Sequence, residues 1–345
     1  MENFFIIKIL TLTTIAFLMA LFLTPAMTHF LYKHKMGKAI RDTGKTPIFS
    51  NLHKHKEGTP TMGGILIWLV TLIMALIFFY IHYFFPESAI GRLNFLTRAE
   101  TFLPLGALIA AAVVGLIDDI IDIKSNGKGG INMKHRLLIY TSIAIIGACW
   151  FYFKLGWDVL HVPFVGNFNI GFWYVPVFII VIIATAFSVN EIDGLDGLSG
   201  GALLSAFAAY GVIAFMQGRV ELAAFCGVIS GGLLAFLWFN INPARFFMGD
   251  TGAMSLGVTL GVVAMLTNQA LLLLIIGLLL VAESGSVIMQ TIAKKFFNGK
   301  KIFHSTPIHH HFQAIGWSEP KIVMRFWVIS GVSAVMGIVL FLLDK

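Results

Sequence analysis

Ten stretches of about twenty mostly apolar residues dominate this sequence. They lie near residues 4–31, 64–85, 101–121, 137–155, 172–189, 199–216, 220–239, 251–267, 270–293 and 323–343. A helix rises about 1.5 Å per residue, so runs of this length cross the roughly 30 Å hydrocarbon layer of a bilayer. The chain is 58% hydrophobic and only 12% charged, with a mean hydropathy of +0.87. Soluble globular chains run nearer roughly 45–50% apolar and 25% charged. No long polar stretch remains from which a water-soluble domain could be built. The expected fold is therefore all-α: one polytopic membrane domain over residues 1–345 with ten transmembrane helices in the lipid bilayer. The first run, near 4–23, is too long for a signal peptide and lacks a small-residue cleavage site, so it reads as a retained span. Cys149 and Cys226 lie inside apolar runs without a CxxC spacing, which argues against a disulfide framework or a cysteine zinc site.

The connections alternate in basic charge. Lys33, Lys35, Lys38, Arg41, Lys45, Lys54 and Lys56 fall between the first two spans. Lys124, Lys128, Lys134 and Arg136 follow the third, and Lys294, Lys295, Lys300, Lys301, Lys321 and Arg325 follow the ninth. The opposite-side connections hold only Arg92, Arg98, Lys154 and Arg219. Basic loops stay in the cytoplasm, so ten spans place both termini on the outer, periplasmic side. The formal charge of +7 then reflects topology and attraction to anionic lipid or phosphate, not nucleic-acid binding. The three-residue connection 217–219 and the pair Asn268-Gln269 predict antiparallel helix hairpins.

The scarce acids gather at the ends of spans on the basic side. Asp118 and Asp119 end the third span, Asp193 and Asp196 follow the fifth, and Asp250 precedes the eighth. Acids at membrane depth are costly and usually mark a site. Adjacent carboxylates repel unless a cation or proton neutralises one. Oxygen-only ligands suit Mg²⁺, which binds one or two carboxylates together with substrate phosphate. An Asp-Asp pair alone fits helix-end solvation equally well; three acidic clusters on one side favour a site.

Other motifs border the same connections. Asp193-Gly194-Leu195-Asp196-Gly197 reads as a tight turn entering the sixth helix, with Asn190 just before it. Gly58-Thr59-Pro60-Thr61-Met62-Gly63-Gly64, downstream of Lys56, suits phosphate oxygens or a plain helix cap, but lacks the ending of a Walker A loop. Consecutive His309, His310 and His311 cannot easily share one metal; contact with a pyrophosphate, or a solvated loop, fits them better. Glu283 and Gln290 lie seven apart, on one face of the ninth span. Either residue can line the site or pair with a neighbour.

Taken in order, Gly-Thr-Pro-Thr-Met-Gly-Gly, Asp-Asp, Asn-x-x-Asp-Gly-Leu-Asp-Gly-Leu, Phe-Met-Gly-Asp-Thr-Gly and Pro-Ile-His-His-His-Phe resemble the phospho-N-acetylmuramoyl-pentapeptide transferases. The resemblance runs from about residue 30 to the C-terminus. It implies ten helices, often a homodimer, in the bacterial inner membrane. It also implies Mg²⁺-dependent transfer of a phosphosugar from UDP-MurNAc-pentapeptide to undecaprenyl phosphate, giving lipid I and UMP. By matched motif, Asp250 would bind Mg²⁺ and Asp118 and Asp119 would serve catalysis. Lys56, Thr61, Asn190, Asp193, Asp196, Asn240 and Gln290 would line the nucleotide and phosphate pocket, and His309, His310 and His311 would approach the diphosphate or sugar. The chain departs from the family pattern at Phe187, where Asn is common, at Glu191-Ile192 in place of Leu-Thr, and at Lys128-Gly129-Gly130. A transferase for another UDP-sugar, an ion-coupled transporter and a membrane aspartyl protease are the rival expectations.

Overall fold

The computed structural model describes residues 2–37, 56–98, 100–125, 130–299 and 301–344. Lys38, Arg41, Lys45, Lys54, Lys128, Gly129 and Lys300 lie outside the described residues. The helices are α1 (Glu2–Lys33), α2 (Ile65–Phe84), α3 (Phe102–Lys124), α4 (Met133–Cys149), α5 (Tyr174–Ile192), α6 (Leu198–Met216), α7 (Val220–Asn240) and α8 (Gly249–Leu266). There follow α9 (Leu273–Ile276), α10 (Leu278–Phe296), α11 (Ile308–Ala314) and α12 (Glu319–Leu343). Among the described residues nine helices are individually long and apolar enough to span a bilayer, and the bent pair 270–276 and 278–296 would make ten.

Two expectations need correction. The ninth apolar run is not one straight helix: it breaks at Gly277 and turns through 85°. The reason lies in α10, whose buried Glu283, Ser284, Ser286 and Gln290 must face protein rather than lipid. The fold is also not purely helical. Val159–Val162 (β1) and Gly166–Asn169 (β2) pair antiparallel, with Val159 opposite Asn169 and Val162 opposite Gly166. The hairpin is tied to the end of α12, where Asp344 pairs with His161 and accepts the Phe164 N–H at 2.6 Å.

At the centre stands α8, every residue of which is buried. Its Gly257 and Gly261 form a small-xxx-small face against α5. A Cβ at Gly257 would lie 2.8 Å from the Ala186 Cα, and one at Gly261 would lie 2.6 Å from the Thr185 hydroxyl. Lipid tails are as apolar as leucine, so close backbone packing holds such helices together. The other flank of α8 packs on α3, while α7 packs between α1 and α6. One apolar core runs from Leu12 in α1 to Phe341 in α12.

This connectivity sets the polarity of the bundle. The C-terminal ends of α1, α3, α5 and α10 and the N-terminal ends of α4, α6, α8 and α12 share one end. Lys33, Lys35, Lys124, Lys134, Arg136, Lys294, Lys295, Lys301, Lys321 and Arg325 all fall there. The start of α1 and the end of α12 lie at the other end, with the hairpin.

Candidate active site

Five elements bring polar groups together at the basic end. In α3, consecutive residues point about 100° apart, so Asp118 and Asp119 diverge instead of sharing one cation. Asp119 turns to α8: its Oδ1 accepts the Asp250 N–H at 3.1 Å and its Oδ2 the Thr251 N–H at 3.0 Å. The first N–H groups of a helix have no partner within it and carry partial positive charge. Asp119 therefore caps α8 from a neighbouring helix, and Thr61 donates to the same carboxylate at 3.4 Å. Gly249, at φ +73°, makes the sharp entry that brings these amides within reach. A Cβ there would sit 2.6 Å from Thr61 Oγ1 and 2.7 Å from Asp119 Oδ2.

Asp118 turns to α4. Its Oδ1 accepts the Ile131 N–H at 2.5 Å, and its Oδ2 lies 2.7 Å from Arg136 Nη2. Asp250 meets the same guanidinium: Arg136 Nη1 donates to Oδ1 at 3.1 Å and Nη2 to Oδ2 at 2.8 Å. Asn190, at the end of α5, donates to Asp250 Oδ1 at 2.7 Å and accepts from Arg136 Nη1 at 3.2 Å. Two carboxylates from different helices thus converge on one cation. Sequence reasoning counted Arg136 only as a topological charge. Its position in the first turn after a Gly-rich loop, facing the acids across the helix pair, was the available signal.

A second cluster forms on the turn between α5 and α6. Lys56 Nζ lies 2.7 Å from Asp196 Oδ1 and 2.5 Å from Glu319 Oε1. Glu319 also accepts the Asp196 N–H at 2.7 Å. Asn242 and the Ala244 N–H donate to the second Asp196 oxygen at 3.0 and 3.1 Å. Asp193 accepts from the Ser199 hydroxyl at 2.7 Å. Asn240 braces the turn, accepting the Gly197 N–H at 2.9 Å and donating to the Phe246 carbonyl at 2.7 Å. The tight turn expected over 193–197 is present, with Gly197 at φ +81°. Glu319 and Asn242 are participants that the sequence reading did not name as site residues.

The three histidines sit on α11 and separate. His309 is buried, and its Nδ1 lies 2.9 Å from Glu283 Oε2 on α10. His309 Nε2 has no hydrogen-bond partner among the described residues and points at the 193–197 turn: a Cβ at Gly194 would be 2.2 Å from it. His310 pairs with Gln313 at 2.8 Å. His311 accepts the His304 N–H at 3.2 Å and stacks on that ring. The three rings thus point to three different partners. Gln290 does not point into this group: it ties α10 to the following loop, accepting the Ile302 and Phe303 N–H groups at 2.9 and 3.1 Å.

Burial holds the His309 and His310 imidazoles neutral, their pKa values pushed down to about 3. In an unfolded chain each would titrate near roughly 6.5. Below that pH the unfolded state binds protons that the folded state refuses, so stability falls as pH drops from about 6.5 toward 3. Each histidine contributes up to about 1.4 kcal/mol per pH unit in that window. A His309→Gln/His310→Gln variant is expected to lose melting temperature in detergent less steeply than wild type between pH 7 and pH 5. Parallel slopes would count against buried neutral imidazoles.

A polytopic helical bundle in which two carboxylates converge on one cation, beside a turn that Lys56 engages, defines a membrane protein with a charged site at one end of its bundle. The sequence matches the profile of Glycosyl transferase family 4 over residues 101–268 and the phospho-N-acetylmuramoyl-pentapeptide-transferase signature 1 over residues 56–67. It is 37% identical to the phospho-N-acetylmuramoyl-pentapeptide-transferase of Chloroflexus aggregans, across 97% of this chain and 90% of that protein. The proteins of the same name from Listeria welshimeri and Listeria monocytogenes are 38% and 37% identical, each across 94% of this chain and 95% of theirs. The chain belongs to the phospho-N-acetylmuramoyl-pentapeptide-transferase family.

Proposed function

We propose that the protein transfers phospho-MurNAc-pentapeptide from UDP-MurNAc-pentapeptide to undecaprenyl phosphate, giving lipid I and UMP, at the cytoplasmic face of the bacterial inner membrane. The observation that carries this reading is the convergence of Asp118, Asp250, Asn190 and Arg136 at the basic end of the bundle. The positive-inside bias supports a cytoplasmic site and periplasmic termini. A homodimer is the family's expectation and part of the proposal.

The donor set fits Mg²⁺. Among the described residues no three acidic or thiol and imidazole groups form a closed metal cage, but Mg²⁺ usually takes only one or two carboxylates, with water and phosphate completing its shell. The Oδ2 atoms of Asp118 and Asp250 already meet at one cationic nitrogen, 2.7 and 2.8 Å away. Asp250, with Asp118, would hold the ion, which when bound offsets charge on pyrophosphate oxygens. Asp118 accepts the proton of the lipid phosphate. The freed oxygen attacks the β-phosphorus, the bond from that phosphorus to the bridging oxygen breaks, and UMP leaves. Asp119 holds the start of α8, and hence Asp250, in place. Arg136 and Lys56 supply positive charge to the phosphates, Asn190 and the 193–197 turn contact the nucleotide, and His309 faces the diphosphate.

Purified protein given UDP-MurNAc-pentapeptide, undecaprenyl phosphate and Mg²⁺ is expected to release UMP and form lipid I, with UDP-GlcNAc a poor substitute. Preferential use of UDP-GlcNAc would replace the proposed donor, and no UMP release from either would remove the reading.

A further inference from the structure

A cavity of about 820 Å³ opens in the side of the bundle, walled by α3, α4, α5 and α8. That volume lies within the roughly 300–1,000 Å³ range of small-ligand sites. Each of the four helices contributes its half remote from the carboxylate site. On α3 the wall begins at Phe102, sixteen residues from Asp118, or about 24 Å along the helix. The space exists because small residues line the seam between α3 and α4: Gly106, Ala110 and Gly147. A Cβ built on Gly106 meets nothing within 4 Å. Ile146 is 70% exposed and Trp150 49% exposed, so the lip of the cavity faces the lipid.

Two cations complete the lining, Arg98 before α3 and Lys154 after α4. Both are exposed, and no ion pair engages either among the described residues. An apolar groove inside a bilayer gains little by taking one hydrocarbon chain over another, because the surrounding tails are equally apolar. Headgroup charge therefore decides the occupant. A cation close to the membrane surface attracts an anionic headgroup measurably. The catalytic acceptor is a poor candidate, since its phosphate must be at the other end of the bundle.

We infer that this cavity is a binding site for an anionic phospholipid of the leaflet opposite the carboxylate site, with an acyl chain along the α3–α4 seam and the headgroup phosphate on Arg98 and Lys154. The inference is independent of the proposed reaction.

The test uses full-length protein in nanodiscs of phosphatidylcholine doped with fluorescent phosphatidylglycerol, with native mass spectrometry of retained lipid. Wild type is expected to prefer phosphatidylglycerol to phosphatidylcholine. Arg98→Gln/Lys154→Gln is expected to lower that preference by about thirtyfold, roughly fivefold for each cation. Gly106→Leu, which fills the seam, is expected to reduce retention of both lipids without changing the melting temperature. Neither variant touches the carboxylate site, so UMP release should persist and report an intact fold. An unchanged preference in the double variant, or unchanged retention in Gly106→Leu, overturns the inference. So does displacement of phosphatidylglycerol by equimolar undecaprenyl phosphate, which would make the carrier the occupant. A shift in dimerisation by Gly106→Leu with no loss of lipid would make it a second copy of the chain.

Discussion

Asp250→Asn is expected to lower UMP release by about a thousandfold, the upper range for losing one preorganised electrostatic group at a reacting centre. The carboxylate uses both oxygens: Oδ1 accepts from Asn190 and Arg136, and Oδ2 accepts from Arg136. An asparagine keeps one acceptor and turns an NH₂ group on a guanidinium or amide that also donates. It removes the negative charge that would hold Mg²⁺ as well, so raising the Mg²⁺ concentration should not restore the rate. Backbone capping of α8 by Asp119 does not depend on the Asp250 side chain, and the variant should fold. A variant that melts normally and retains more than about a tenth of wild-type release would remove Asp250 from the centre. Asp119→Asn should separate from it: an amide NH₂ would face the N–H groups of α8, so this variant should lose melting temperature as well as rate.

The spans were legible because hydrophobic run length is set by bilayer thickness and needs no partner to be read. Predicted and observed limits agree closely for α2, α6 and α7, at 64–85, 199–216 and 220–239 against 65–84, 198–216 and 220–240. The break at Gly277 was not legible, because hydropathy averages over Glu283 and Gln290 and does not register that both are buried against protein. The hairpin at 159–169 was missed because each strand is only four residues long. At the site, the motif acids were found, but their division of labour depends on rotation about α3. One residue of offset sends Asp118 to a guanidinium and Asp119 to a helix terminus. Arg136 and Glu319 escaped because each acts through a partner far along the chain, 114 residues away for Arg136 and Asp250 and 263 for Lys56 and Glu319; Glu283 was singled out, but its pairing with His309 was not. Charge in a loop looks the same in sequence whether it orients the chain in the membrane or binds inside it.

Arg136→Ala tests that distinction. The Arg136 side chain is 13% exposed, against 0% for Asp118 and 10% for Asp250. Truncation leaves two carboxylates facing each other in a poorly hydrated place. Removing one partner of a buried ion pair costs roughly 3–5 kcal/mol, although uptake of a proton by one carboxylate limits the loss. In EDTA the variant is therefore expected to melt well below wild type, and to recover partly as pH falls and a carboxylate is neutralised. A divalent cation should do the same work more directly. Binding to the folded state alone stabilises by about 2.7 kcal/mol at a hundred times the dissociation constant. Mg²⁺ should therefore raise the melting temperature of Arg136→Ala more than that of wild type, where the guanidinium already fills the space. Arg136→Lys should fall between the two, since an ammonium cannot make the paired bonds to Asp250. If Arg136 were only a topological charge, its alanine variant would melt like wild type in EDTA and Mg²⁺ would shift both equally. That outcome would also leave Asp118 and Asp250 without the shared cation position on which the metal assignment rests.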